Sequence, residues 1–233
     1  MDRATVDEPA GWSGGTLLSA LTPEDRQALV ALGVRRLFPS GQSLFVEGSV
    51  GTDTFLLLQG CAKVVCNTRA GRTVLLSMRV AGDLVGELAA ADQKPRSASV
   101  IAATRLVAQV IPQRAFQAYL DDRPAAARAV HLAVVEELRR STRYRVSATG
   151  APTAVQLALV LNSLMTAHGR PCTEGIRIDV PLSQSELASL LGTSQPSLHR
   201  MLTDLRRQDV IRTRYRRVIV CDPQALRALA GDA

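Results

Sequence analysis

Between Ser183 and Leu205 the chain spells out two short helices separated by a tight turn, and few folds accommodate such a pair. Ser183-Gln184-Ser185-Glu186 has the form of a capping box, in which the Ser hydroxyl and the Glu carboxylate satisfy each other's backbone amides and start a helix. Leu187, Leu190 and Leu191 give that helix one apolar face. Gly192 then stands where a helix ends in the left-handed region, and Ser194 is placed to cap a second helix whose first turn tolerates Pro196. Leu198, Leu202 and Leu205 recur at three- and four-residue spacing, which turns them inward and leaves Gln195, Ser197, His199, Arg200 and Thr203 on the outer faces.

A helix built this way can enter the major groove of duplex DNA by its N-terminal end. Gln reads adenine and Arg reads guanine through paired hydrogen bonds, while Ser and the amides of a helix start suit phosphate. The candidate contacts on this helix are Ser194, Gln195, Pro196, Ser197, His199 and Arg200. Downstream, the segment from Ile211 to Val220 reads as a two-stranded wing carrying Arg214, Arg216 and Arg217 at its tip, with Arg206 and Arg207 just before it. Basic charge is thus gathered around this face in a chain whose formal charge is +7. A solvated helical hairpin with a basic rim is the competing reading, and it is the combination of cap, turn, apolar spacing and wing that opposes it.

Upstream the pattern changes. From about Leu37 to Ile111 the apolar residues come in runs of four to six, at Ser43–Val46, Thr54–Leu58, Ala62–Cys66, Thr73–Met78, Ser97–Ala102 and Leu106–Ile111. Gly41, Gly48, Gly60, Gly71 and Gly82 fall between them, which is the signature of a β-sandwich or barrel. On the runs alone, a plain sandwich without a ligand stays open. Gln113 to Leu120 reads as a short helix, and Pro124 to about Val146 as a long one with Val130, Val134, Val135 and Leu138 on a broad stripe. Such a stripe can face the barrel and a partner helix at once, or serve as a simple cover. A helix at Ala154–Met165 and a strand at Ile176–Val180 open the last unit, after a hinge at Thr149–Pro152. Before the sandwich, a helix starts at Thr22 or Pro23 with Leu29, Val30 and Leu32 inward. The expected domains are a flexible leader at 1–15, a β-barrel unit at 16–123, a long helix and hinge at 124–149, and a winged unit at 150–233.

Several classes of function lose support. The acidic N-terminal stretch with Asp2, Asp7 and Glu8 does not read as a secretory signal, and no apolar run approaches the ~20 residues that span a bilayer, so a cytoplasmic protein without a membrane partner is expected. Cys61, Cys66, Cys172 and Cys221 form no C-x-x-C pair. His131, His168 and His199 are too far apart in sequence for a metal-binding spacing. No nucleophile-base constellation appears, so neither a metal nor an enzymatic activity is expected.

The order of these features resembles the Crp/Fnr superfamily of bacterial transcription regulators. The resemblance runs through Leu37-Phe38-Pro39, Glu47-Gly48, Gln59-Gly60, Gly82-Asp83, Gly86-Glu87-Leu88 and Arg96-Ser97-Ala98 to the long helix and the winged unit. It implies an α+β fold: an N-terminal double-stranded β-helix (jelly roll), a long dimerisation helix and a C-terminal winged helix-turn-helix. It also implies a homodimer on duplex DNA, with RNA polymerase as a further partner. Gly86, Glu87, Leu88, Arg96 and Ser97 look like the family's cassette for a cyclic nucleotide, cyclic AMP first, as allosteric ligand. In that cassette a Glu accepts a ribose hydroxyl and an Arg grips the cyclic phosphate. Ser141 and Thr142 fall where the long helix would reach the base, one of them from the partner subunit. The chain departs from the pattern in the spacing between Glu87 and Arg96, which is one residue shorter, and in Ala89-Ala90-Ala91. A ligand-free fold in which Arg96 pairs with Glu87 is the alternative for this site. A barrel answering to another signal, and a nucleotide-sensing module that regulates a protein partner, remain as further readings. The family's redox branch holds an iron-sulfur cluster on N-terminal cysteines, and this chain has no Cys before Cys61, so no such cluster is expected.

Overall fold

The computed structural model describes residues 15–68, 71, 73–148, 153–178, 180–214 and 217–231. The expected leader, apart from Gly15, the hinge at Thr149–Pro152, and Arg216 lie outside the described residues.

The first half is a roll of two antiparallel four-stranded sheets. One is ordered β1 (Val34–Phe38), β8 (Leu106–Ile111), β3 (Thr54–Gln59) and β6 (Leu84–Val85). The other is ordered β2 (Ser43–Phe45), β7 (Ser99–Ala102), β4 (Cys61–Asn67) and β5 (Thr73–Val80). Every expected strand run is present, and the five turn glycines named from the sequence all take positive φ. Two-residue periodicity explains how β3 can be apolar along its length. Phe55 and Leu57 face into the roll with Phe38, Ala62, Val85, Val100, Leu106 and Ala108, while Leu56 and Leu58 face the helices outside. Full burial of Leu56, Leu57, Leu106 and Ile111 stabilises by about 1.5–3 kcal/mol per side chain.

The helices α1 (Leu17–Ala20), α2 (Pro23–Ala31), α4 (Gln113–Asp122) and the root of α5 (Pro124–Ala148) close the outer side of that sheet. Thr22 caps α2 by accepting from the Asp25 amide, as its sequence position implies. Arg123 pairs with Asp25 at 2.9 Å and the Tyr119 hydroxyl donates to the Asp25 carbonyl at 2.9 Å, which staples α4 to α2. These contacts fix the start of α5, where Ala126 and Val130 are buried. Further along, the expected stripe divides. Val134 is half-buried against the roll side, whereas Val135 and Leu138 are 41% and 63% exposed, as is Leu132, outside that stripe, at 57%.

The second half is built on α6 (Thr153–His168), whose Leu157, Ala158 and Leu161 are fully buried. Around it lie β9 (Gly169–Cys172), β10 (Gly175–Ile178), α7 (Gln184–Leu190), α8 (Gln195–Arg207), β11 (Ile211–Arg214), β12 (Arg217–Val220) and α9 (Pro223–Ala230). The sheet order is β11-β12-β10-β9, antiparallel throughout. Neither β9 nor α9 is anticipated from the sequence, although Asp222 and Pro223 carry a helix-start signature: the Asp222 carboxylate accepts from the amides of Gln224 and Ala225 at 2.9 Å.

The two halves touch. Cys61, Val65, Leu75 and Met78 turn outward from β4 and β5 and join one apolar cluster with residues of the winged unit, Leu187 and Leu191 among them. Lys63 is ion-paired with Glu186, and the Leu75 amide donates to the Ser189 hydroxyl at 3.1 Å. No helix among the described residues is long and apolar enough to cross a membrane.

Candidate ligand pocket and nucleic-acid interface

After β6 the chain turns through Gly86 into the short helix α3 (Glu87–Asp92). Gly86 has φ of +87°, and a Cβ there would stand 2.6 Å from Arg96 Nη1 and 2.9 Å from the Asp53 carbonyl oxygen, so the position requires glycine. Arg96 is only 5% exposed. Its Nη1 donates to the Gly86 carbonyl at 3.0 Å and its Nη2 to the Asp53 carbonyl at 2.7 Å. The guanidinium also lies 4.2 Å from the centroid of the Phe45 ring, a cation-π contact. The terminal nitrogens thus go to backbone carbonyls and not to the Glu87 carboxylate, so the Arg96–Glu87 ion pair that stood as the alternative for this site is not the arrangement seen. Arg96 Nε is buried and has no hydrogen-bond partner among the described residues. Burial lowers the Arg96 pKa against the pull of Asp53 and Glu87.

Glu87 heads α3. Burial raises its pKa, opposed by the Arg79 charge, by its own backbone amide and by Arg96, and reinforced by Glu137. These groups line a cavity of about 700 Å³ whose walls come from four places. The cassette supplies Gly86, Glu87, Leu88, Arg96 and Ser97; the roll supplies Phe45, Val64, Arg79, Val85 and Val100. The long helix α5 adds Val134, Glu137, Leu138 and Ser141, and the end of α7 with its turn adds Ser189, Leu190, Leu191 and Gly192. Of the two polar residues expected to reach a base, Ser141 lines this cavity. Thr142 is exposed, and its hydroxyl donates to the Leu138 carbonyl at 2.9 Å.

Sequence reasoning missed Arg79 and Glu137, which pair at 2.6 Å in the cavity lining and join β5 to α5. A signal was available for each. Arg79 interrupts the apolar run of β5, and Glu137 shares the helical stripe of Val130, Val134 and Ser141. Ser189 was missed because nothing in its own segment shows that α7 meets the roll.

The reading motif forms as its sequence dictates. Ser183 and Glu186 make a capping box, Gly192 takes φ of +61°, and Ser194 caps α8 by accepting from the Ser197 amide at 3.3 Å. Leu198, Leu202 and Leu205 are buried beneath the helix. Ser194, Gln195, Pro196, His199 and Arg200 are exposed or half-buried with Ser197 at the same end of the winged unit. Arg206 is committed elsewhere: it donates to Thr203 at 2.8 Å, Thr213 at 3.2 Å and the Leu202 carbonyl at 3.2 Å, joining α8 to the wing. In the wing, Arg214 faces Arg217 across the ladder and pairs with Glu174 at 2.8 Å; Arg212 pairs with the same carboxylate at 2.9 Å. Those bonds hold Glu174 below the usual carboxylate range. Among the described residues no group of His, Cys, Asp and Glu is placed to hold a metal ion.

Residues 35–123 match the family model of the cyclic nucleotide-binding domain, and residues 155–229 match that of the Crp-like helix-turn-helix domain. The chain is 30% identical over 200 residues to the transcriptional regulator LdrP of Thermus thermophilus, covering 84% of this chain and 96% of that one. It is 26% identical over 189 residues to a CRP-like cAMP-activated global transcriptional regulator of Mycobacterium tuberculosis, covering 81% of this chain and 84% of that one. Among solved structures, a CRP-family transcriptional regulator from Thermus thermophilus superposes with a TM-score of 0.69 at 27% identity, covering 85% of this chain and 97% of that chain.

Proposed function

The chain belongs to the Crp/Fnr superfamily of transcription regulators, and from that premise we propose that it is a cytoplasmic homodimer whose sequence-specific grip on DNA is controlled by a cyclic nucleotide, cyclic AMP first. The proposed division is a sensor at 16–123, a dimerisation helix and hinge at 124–149, and a winged reader at 150–233.

One observation carries the ligand half. A buried arginine with a free Nε donor lines a cavity beside a glycine that no other residue could replace and a carboxylate at a helix start. Arg96 and Ser97 would take the cyclic phosphate, Glu87 a ribose hydroxyl, and Ser141 the base, and the exposed Thr142 would serve the pocket of the second copy. The exposed apolar residues Leu132, Val135 and Leu138 supply a face for the second copy. Two reading helices related by a dimer axis could then meet successive major grooves about 34 Å apart. For the reader, Ser194, Gln195, Pro196, Ser197, His199, Arg200, Arg214 and Arg217 are the proposed contacts, with Arg216 added from the sequence. Binding of ligand would shift the population of chains whose reading helices suit the operator.

A second reading keeps DNA binding but gives the pocket another signal. It is favoured by the same arginine, because its terminal nitrogens are already satisfied by the Gly86 and Asp53 carbonyls and a phosphate must compete with them. Selection of bound DNA from a random pool with and without cyclic AMP, together with calorimetry over a nucleotide panel, separates the two. A ligand-dependent palindrome that disappears in Arg96→Ala supports the first reading. DNA binding that ignores cyclic AMP in both proteins rejects it.

A further inference from the structure

The pocket holds two guanidinium groups and two carboxylates, and the family cassette accounts for one of each: Arg79 and Glu137 are extra. Arg79 reaches from β5 and pairs with Glu137 on α5 at 2.6 Å, with side chains only 15% and 26% exposed. It also lies within electrostatic reach of Glu87 and of Asp83, whose carboxylate is anchored by the Val80 amide at 2.9 Å. Arg79 is thus ion-paired with Glu137 on the long helix and lines the same cavity as Glu87 at the cassette. We infer that Arg79 is a positioning residue for ligand recognition: it orients Glu87 to accept the ligand's ribose hydroxyl and passes occupancy of the pocket to α5 through Glu137.

The inference rests on the proposal that Glu87 receives that hydroxyl. A buried carboxylate accepts strongly only while it is ionised, and ionisation in such a place needs a cation nearby. Arg96 is a poor candidate, because its terminal nitrogens serve two carbonyls and its face is stacked on Phe45. Of the two arginines, Arg79 exerts the larger stabilising pull on the Glu87 charge. When a ligand hydroxyl donates to Glu87, part of that charge is answered by the ligand, and Arg79 binds Glu137 the more firmly. Ligand then tightens the tie between roll and long helix, and by reciprocity a tighter tie favours ligand.

The probe is the sugar: cyclic AMP against 2′-deoxy cyclic AMP, titrated by calorimetry into the full-length chain. The wild-type protein should prefer the ribose form by about tenfold or more, the worth of a hydrogen bond to a charged group. Arg79→Gln should shrink that preference to less than about threefold, and Arg79→Lys should restore most of it. Glu137→Gln should keep the preference while losing most of the ligand-dependent change in DNA affinity. Because Arg79→Gln takes the Arg79 charge away from the half-buried Glu137 carboxylate, the double variant Arg79→Gln/Glu137→Gln serves as the folding control. It should also lose the preference. Undiminished discrimination in folded Arg79→Gln or in the double variant overturns the role of Arg79 while leaving the ligand proposal standing. A wild-type protein that binds both nucleotides equally, or neither, rejects the role assigned to Glu87 and this inference with it.

Discussion

The Leu75 amide on β5 donates to the Ser189 hydroxyl on α7 at 3.1 Å, so the helix that precedes the reading helix is bonded to the same strand that carries Arg79 into the pocket. Ser189 to Gly192 also form part of the cavity wall. A molecule in that cavity therefore borders the turn from which α8 springs, and pocket and reader share a boundary beyond the long helix. Lys63 and Glu186 fasten the same contact one strand away.

Lys63→Ala should loosen it. Both partners are largely buried, at 13% and 24% side-chain exposure, so the cost lies between that of a surface and of a buried pair, about 1–3 kcal/mol. Burial raises the Glu186 pKa, but the bonds from Lys63 and Ser183 outweigh it and leave the value below the ordinary 4.5. A carboxylate depressed in the fold contributes stability above its unfolded pKa and loses it as pH falls through the folded one. The melting-temperature gap between wild type and Lys63→Ala should be full at pH 7 and close below pH 4.5. A gap that persists unchanged in acid excludes the ion pair as its source.

Glu87→Gln should show the opposite pH trend. Burial lifts the Glu87 pKa above 4.5 more than Arg79, its own amide and Arg96 lower it. A carboxylate raised in the fold favours folding below its unfolded pKa and loses that contribution as pH rises through the folded value. Glutamine removes the penalty, so the variant should melt higher than wild type at pH 8, with the difference vanishing toward pH 4.5. Its affinity for cyclic AMP should fall by about tenfold or more. A variant less stable than wild type at every pH would count against a charge strained by burial.

These two carboxylates mark how far the sequence was legible. Glu186 announces its cap because Ser183 is three residues away, and α8 announces its inner face because Leu198, Leu202 and Leu205 lie within two turns. Local spacing also found the inner strands, whose apolar runs are broken by turn glycines. It did not find β1, where Val34-Arg35-Arg36-Leu37 is an exposed edge paired only to β8, or the two-residue β6. The extra groups of the pocket depend on contacts 58 residues apart for Arg79 and Glu137, and the clamp on contacts 123 apart for Lys63 and Glu186. The spacing marks Arg79, Glu137 and Glu186 as unusual on their own elements, but it names no partner for any of them until the fold brings the pairs together.

Leu132→Glu tests the dimer face. Leu132 is 57% exposed and lies outside the cavity lining, so the change should leave the roll and its nucleotide affinity intact while burying an unpaired charge in any helix-helix seam. Sedimentation should show a dimer for wild type and a monomer for the variant, and affinity for a palindromic site should drop by about tenfold or more as the second half-site is lost. A variant that still sediments as a dimer would place the interface elsewhere.

Glu174→Gln separates wing charge from base reading. Glu174 binds Arg212 and Arg214 at 2.9 and 2.8 Å, and both arginines are otherwise exposed, so the carboxylate neutralises charge that could face phosphate. Without it, the two side chains are free to displace counterions. DNA affinity should rise severalfold at low salt, and the slope of log affinity against log salt should steepen by about one to two units. The gain should be the same on specific and random duplexes, since phosphates carry no sequence. Arg200→Ala, on the exposed face of α8, should behave in the reverse way, losing about 1–3 kcal/mol at particular base pairs with little change in salt slope. If Glu174→Gln instead weakens binding equally on all sequences, the carboxylate holds the wing in its working shape, and the paired arginines contact DNA while still bonded to it.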